Sequence, residues 1–175
     1  MALDPIWGNI FRKKTSREEE LISILKEVPI FEDLNRRELR QIERIVHNRT
    51  YAINEAVVEE GEPGMGMYII RSGEVHVLQK TKEGEVQKLA SYKEGDFFGD
   101  LALLDEAPRS ASVIATEPCQ MIGFFRPDLF DLIEQDPRLG LKIVLRLAQI
   151  IAARLRHTNE ILKEIQAASD GKSGT

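Results

Sequence analysis

Short segments of β-branched and aromatic residues, separated by glycines, fill the stretch from residue 49 to residue 125. Regular turn signals between short apolar segments are typical of a small antiparallel sandwich or barrel, in which neighbouring strands are joined by tight turns. Most of these glycines are therefore interpreted as turn residues. The glycines that separate these segments are Gly61, Gly64, Gly66, Gly73, Gly84, Gly95 and Gly99.

Helical patterns flank this stretch on both sides. Ser16 and Glu19 form a capping box, which predicts the start of a first helix. Apolar residues at helical spacing predict a second helix before residue 49 and two more after residue 125. The predicted organisation is an N-terminal extension at 1–15, N-terminal helices at 16–48, a β-roll at 49–125, C-terminal helices at 126–168 and a tail at 169–175.

Composition narrows the class of protein. A chain of 175 residues can bury one hydrophobic core, and its formal net charge of −5 argues against nucleic-acid binding as the main function. The single cysteine, Cys119, excludes an internal disulfide and suits a reducing compartment. No apolar run approaches the roughly 20 residues of a membrane-spanning helix, and the N-terminus lacks a secretory signal pattern. We therefore predict a cytoplasmic protein.

Residues suited to catalysis or metal binding are sparse. The three histidines, His47, His76 and His157, are scattered over different predicted elements. Metal sites need clustered histidine, cysteine and carboxylate ligands, and no nucleophile–base pair is visible. We therefore expect no metal cofactor and no enzymatic activity.

The run from Phe98 to Ala111 carries the strongest indication of a binding site. Gly99 lets the backbone approach a ligand closely, and the N–H groups of the turn after it favour an anion. Arg109 supplies a positive fork suited to phosphate, and Ser110 supplies a hydroxyl donor. Asp100 is an acceptor for sugar hydroxyls. Phosphate and ribose together indicate a nucleotide.

This run resembles the phosphate-binding cassette of the cyclic nucleotide-binding domain, a family that includes bacterial catabolite activator proteins and regulatory subunits of cAMP-dependent protein kinase. The family pattern is Phe-Gly-Glu-Leu-Ala-Leu, a short variable stretch, then Pro-Arg before a small residue and Ala. Asp100 stands where the family usually has Glu. The resemblance covers about residues 28–165. It implies an α+β fold, with an antiparallel jelly-roll or barrel of the cupin-like type between flanking helices.

The resemblance also implies a regulatory module that binds cAMP or cGMP and changes the position of its C-terminal helix. Val77 and Leu89 match pocket-lining positions, and Thr158 matches the Thr of a Thr-Ser pair that touches adenine. Asn159 stands in place of the Ser. The Asn159 amide both donates and accepts hydrogen bonds, so it could contact either purine, and the identity of the base stays open with a preference for adenine. An equal alternative is that Thr158 and Asn159 are polar residues that set the register of a coiled coil. The implied cassette ligands are Gly99, Asp100, Leu101, Ala102, Arg109 and Ser110.

Two cassette residues have alternative interpretations. Asp100 reaches about 1.3 Å less far than Glu, and the loss of one ribose hydrogen bond would weaken binding by about 1–3 kcal/mol. Arg109 could instead form a salt bridge with Asp100 or Asp105 that shapes the loop. The alternative function is accordingly a degenerate domain that serves as a dimerisation or protein-interaction module without ligand.

Two apolar stripes run along the predicted long helix. A helix with two apolar faces needs two partners, so we predict that one stripe packs on the β-roll and the other forms a homodimer. The alternative is a helix folded entirely onto its own domain. The few residues after this helix are too short for a helix-turn-helix module, so we expect no direct DNA binding. The downstream protein partner is unknown. The heptad seam comprises Leu141, Val144, Ala148, Ile151, Leu155, Thr158, Leu162 and Ile165, and the second stripe Leu139, Ile143, Leu147 and Ile150.

Residues 1–14 combine apolar and basic groups. Ile6, Trp7, Ile10 and Phe11 fall on one helical face, and Arg12-Lys13-Lys14 follows. We interpret this segment as packed on the folded body or partly disordered. A membrane-surface or partner-docking peptide is the alternative.

Overall fold

The computed structural model describes residues 18–170 of the chain. Helix α1 covers residues 18–27 of the described part, and α2 spans Arg36–Ile45. Asn35 caps α2, because its side chain accepts hydrogen bonds from two backbone N–H groups of the first turn. The predicted extension at 1–15, the capping residue Ser16 and residues 171–175 of the predicted tail lie outside the described residues.

Eight strands and a short 3₁₀ helix follow α2. The strands are β1 His47–Tyr51, β2 Ala56–Val58, β3 Gly66–Ser72, β4 Glu74–Lys80, β5 Val86–Lys93, β6 Phe97–Phe98, β7 Ser112–Ala115 and β8 Cys119–Phe125. The 3₁₀ helix spans Asp100–Leu103, and the chain continues into α3 at Arg126–Gln135 and α4 at Pro137–Asp170. Strands β1 and β6 had no sequence prediction. Strand β1 is almost wholly exposed, and β6 has only two residues, so neither shows an alternating apolar pattern.

The strands form two four-stranded sheets in which all pairs are antiparallel. One sheet has the order β1-β8-β3-β6, and the other has the order β2-β7-β4-β5. With helices before and after the sheets, this confirms the predicted antiparallel roll with flanking helices. The two sheets remain separate and do not join into a closed barrel.

Two hydrophobic clusters hold the sheets and helices together. In β3, Met67 and Ile69 point into a cluster shared with the helices, whereas Ile70 points into the cluster between the two sheets. Strand β8 divides in the same way, with Met121 between the sheets and Ile122 facing the helices. The central strands of the first sheet are thus buried on both faces, since side chains alternate along a strand.

The two predicted stripes of α4 have different environments. Leu139, Ile143 and Leu147 are buried against the helices and first sheet, as predicted for the second stripe. Leu155 and Leu162, which belong to the heptad seam, are exposed. Although α4 is long, no helix within residues 18–170 has a stretch apolar enough to cross a membrane.

Candidate functional site

Gly99 forms the turn that brings the cassette backbone against Arg109. Its φ of +81° lies in the left-handed region, and it precedes the first residue of the 3₁₀ helix. A Cβ atom at this position would lie 2.5 Å from Nη1 of Arg109 and 2.9 Å from the carbonyl oxygen of Gly66. Both the backbone conformation and the close approach therefore require glycine.

The guanidinium of Arg109 is held inside the cassette by backbone groups. Its Nη2 donates to the carbonyl oxygen of Gly66 at 2.6 Å, and its own backbone N–H donates to the carbonyl oxygen of Glu62 at 2.8 Å. Burial lowers the pKa of Arg109 below its usual value, but an arginine remains charged at neutral pH. Within residues 18–170, its buried Nε atom has no hydrogen-bond partner.

Arg109 has no carboxylate partner among the described residues, so the alternative interpretation of a salt bridge to Asp100 or Asp105 does not describe its geometry. Even a half-buried positive charge without an anion is costly to desolvate. The arrangement is therefore suited to an anion that enters from outside the chain, such as a phosphate.

Asp100 is paired with a residue that had no sequence prediction, Arg154 of α4. Nη1 of Arg154 donates to both carboxylate oxygens of Asp100, each at 2.8 Å. Asp100 is only 3% exposed, whereas the Arg154 side chain is 53% exposed and lies over the ring of Phe97, 5.6 Å from its centroid. This contact ties the long helix to the cassette. The only sequence signal for it is the position of Arg154, one helical turn before Thr158.

A cavity of ≈ 410 Å³ opens beside these residues, within the range of small-molecule sites. Apolar and aromatic side chains from both sheets form one side of it, and the rings of Tyr92 and Phe98 stack with centroids 6.2 Å apart. The cassette forms the other side. The cavity therefore combines an apolar wall with a charged, hydrogen-bonding floor. The wall residues are Val58, Val77, Tyr92, Phe98 and Val113.

Seven of the ten predicted site residues line this cavity: Gly99, Asp100, Leu101, Ala102, Arg109, Ser110 and Val77. Leu89 does not. The pairing of β4 with β5 shifts between Val77 and Leu78, which pair with Ala90 and Lys88, so Leu89 lies in an irregularity of the sheet and is exposed.

Thr158 and Asn159 also lie away from the cavity. Both are exposed on α4, and the Thr158 hydroxyl donates to the carbonyl oxygen of Arg154 at 2.9 Å. The described ion pair between α4 and the cassette is thus made one helical turn before Thr158, by Arg154. Within residues 18–170, no three His, Cys, Asp or Glu side chains are grouped in a way that could hold a metal ion.

Gly66 contributes to the site although its sequence pattern indicated only a turn. Its carbonyl oxygen accepts the Arg109 hydrogen bond, and a Cβ atom there would lie 2.3 Å from the carbonyl oxygen of Phe124. The strand pairing of β3 with β8 brings these backbones together, which local sequence does not reveal.

Known proteins resemble this chain in sequence. The cAMP-dependent protein kinase regulatory subunit of Hypocrea atroviridis is 45% identical over 117 residues, which are 66% of this chain and 24% of that protein. The chain therefore spans about a quarter of the length of that kinase subunit.

Two solved structures extend the similarity to the fold. The catabolite activator protein of Thermus thermophilus matches with a TM-score of 0.70 and 30% identity, over 79% of this chain and 63% of that one. A cyclic nucleotide-binding domain from Methylobacillus flagellatus matches with a TM-score of 0.71 and 29% identity, over 85% and 84%. The sequence profile described as "Cyclic nucleotide-binding domain" matches residues 48–136, about half of the chain. This protein belongs to the cyclic nucleotide-binding domain family.

Proposed function

We propose that this chain binds a cyclic nucleotide, with cAMP as the first candidate, and that binding changes the position of α4. The observation that carries the proposal is the half-buried Arg109 guanidinium, which lines a cavity of nucleotide size and has no anionic partner among the described residues. Relatives named as cAMP-dependent kinase regulatory subunits and a cyclic AMP receptor protein support cAMP and a regulatory rather than enzymatic role.

The first step is capture of the phosphate. A cyclic nucleotide carries one negative charge on its phosphodiester, and Arg109 supplies the opposite charge beside the Ser110 hydroxyl. The 3₁₀ helix that starts at Asp100 adds backbone N–H groups that have no partner within the helix. Charge-assisted hydrogen bonds of this kind contribute about 1.5–3 kcal/mol each.

The second step is recognition of the ribose at Asp100. An ionised carboxylate has about four lone-pair sites, of which Arg154 occupies two, so a ribose hydroxyl can donate to those that remain. A ligand at Asp100 therefore acts on the same carboxylate that holds α4. Binding shifts the helix only to the extent that the ligand prefers one helix position over the other.

The third step concerns the base. Val77 and Tyr92 provide an apolar wall, while Thr158 and Asn159 lie on the exposed part of α4 beyond Arg154. Contact between these two residues and a base requires α4 to move towards the cavity. Adenine is preferred and guanine remains the alternative, because an asparagine amide can pair with either purine edge.

Titration calorimetry with cAMP and, in parallel, cGMP tests the proposal. We expect micromolar or tighter binding to the wild-type chain and at least a hundredfold loss in Arg109→Ala, because a bound phosphate would lose its counter-charge. Arg44→Ala, which removes an exposed arginine from α2, is the matched control and should bind as the wild type does. Absence of heat with both nucleotides, in protein shown to be free of bound ligand, would reject the proposal.

A degenerate domain without ligand is the second candidate function. The Asp100–Arg154 pair favours it, because Arg154 competes with a ribose hydroxyl for the same carboxylate. The same titration separates the two candidates.

We also propose that the exposed seam of α4 pairs with a second copy of this chain. Leu155 is 60% exposed, and neighbouring apolar residues at heptad spacing are exposed with it. Contiguous exposed apolar surface of this kind marks an interaction site. The proposed contact uses Leu141, Leu155, Leu162 and Ile165.

A further inference from the structure

A second groove lies at the start of α3, next to the segment that precedes β3. It has a volume of ≈ 600 Å³ and shares no lining residue with the cassette cavity. Two large apolar side chains stand open to solvent in it, Met65 at 57% and Phe130 at 47% exposure. Exposed apolar side chains gathered in one groove indicate a surface that another segment covers. Its lining includes Pro63, Met65, Glu106, Arg126, Pro127 and Phe130.

The margin of this groove is acidic. Exposed carboxylates lie in it or directly next to its lining residues along the chain. Arg126, the one cation among the lining residues within residues 18–170, is paired with Glu106 at 2.5 Å and lies over the Phe130 ring. Carboxylates therefore outnumber cations among the groove's lining residues and their neighbours along the chain. A segment that combines apolar side chains with positive charge matches both properties. The acidic residues are Glu106 in the lining and Glu62 and Asp131 directly beside it along the chain.

The chain contains a segment of this chemistry, which lies outside the described residues. Ile6, Trp7 and Phe11 are apolar, and Arg12-Lys13-Lys14 follows them directly with three positive charges. We propose that residues 6–14 of this same chain occupy the α3 groove. Their apolar side chains contact Met65 and Phe130, and the basic residues face the acidic margin.

The length of the chain permits this contact. Glu20 of α1 pairs with Arg71 at 2.5 Å, near the end of β3, whereas Met65 directly precedes the start of the same strand. Strand β3 separates the two points by about 20 Å, at roughly 3.3 Å per residue. Eleven residue steps lead from Trp7 to residue 18 and span up to about 36 Å. The segment therefore reaches the groove with length to spare.

Trp7 is the only tryptophan of the chain, so intrinsic fluorescence reports directly on this segment. In the full-length wild-type chain we expect Trp7 emission at the wavelength of a buried indole and slow quenching by acrylamide. Phe130→Ser should shift the emission to longer wavelength and raise the quenching constant at least twofold. Met65→Ser should do the same. This second variant keeps the test valid should Phe130→Ser fail to fold, which circular dichroism would reveal.

Ile53→Ser is the matched control, because Ile53 is an exposed apolar residue in the turn between β1 and β2. It should leave the emission of Trp7 unchanged. Equal quenching in the wild type and both groove variants would overturn the proposal. Protection of Trp7 that is lost on dilution would assign the contact to a second copy, and protection that arises only with anionic phospholipid vesicles would assign it to a membrane. Either result would also overturn the intramolecular contact.

Discussion

At Gly99, a left-handed backbone and a close approach to Arg109 occur in the same residue, whereas Gly84 has a similar φ of +87° with open space around it. Gly84→Ala should therefore cost only the left-handed penalty of about 1–2 kcal/mol. Gly99→Ala should cost at least 1 kcal/mol more and weaken cyclic nucleotide binding, because the new methyl group displaces the guanidinium. Urea unfolding and calorimetry measure the two effects. Equal costs for both variants would show that Arg109 is free to move aside.

Arg154 supplies the only contact that joins the charged floor of the cavity to α4 among the described ion pairs. Arg154→Ala leaves the buried Asp100 carboxylate without a partner, so we expect a loss of about 1–3 kcal/mol in the free energy of unfolding and faster amide exchange in α4. Arg156→Ala, two residues later on the exposed part of the same helix, should be nearly neutral.

A double-mutant cycle with Asp100→Ala isolates the Asp100–Arg154 pair itself. Strong coupling is expected between these two residues and none between Asp100 and Arg156. Additive effects of Asp100→Ala and Arg154→Ala would mean that the observed contact does not hold the helix.

At the scale of single elements, α4 has one stripe buried in its own domain and a second that is exposed. Leu155→Glu places a charge in the exposed seam, so it should convert a dimer into a monomer with little loss of stability, since the buried stripe is unchanged. Sedimentation velocity measures the change. Arg156→Glu, outside the seam, is the control. A wild-type chain that stays monomeric at high micromolar concentration would contradict the dimer.

The strands show where local pattern succeeds and fails as a predictor. Strand β4 has alternating apolar residues in the sequence, and the structure has a strand there. Strand β1 is exposed along almost its whole length. Because neither of its faces is buried, its sequence lacks the alternation of apolar and polar residues that predicts a strand. Leu89 illustrates a related failure. Sequence alone matches it to a family pocket position, but the irregular β4–β5 register leaves it exposed and outside the cavity.

At the scale of the whole molecule, the candidate site lies where three separate parts of the chain meet. The cassette supplies Gly99 and Arg109, β4 and β7 supply Val77 and Val113, and α4 supplies Arg154. The two hydrophobic clusters hold these parts in place, because one joins the two sheets and the other joins the helices to the first sheet. The α3 groove lies beside the first turns of α3, the helix that directly precedes α4.

The sequence by itself determined what depends on neighbours along the chain. The turn at Gly99, the capping of α2, the helical stripes and the cassette run all arise from interactions within a few residues, which periodicity and residue type report directly. Only the tertiary structure decided the contacts between distant segments. The carbonyl of Gly66 reaches Arg109 across 43 positions, and Arg154 reaches Asp100 across 54. Such contacts depend on strand register and helix packing. The residues next to Arg109 or Arg154 along the chain therefore do not indicate which distant residue each one contacts.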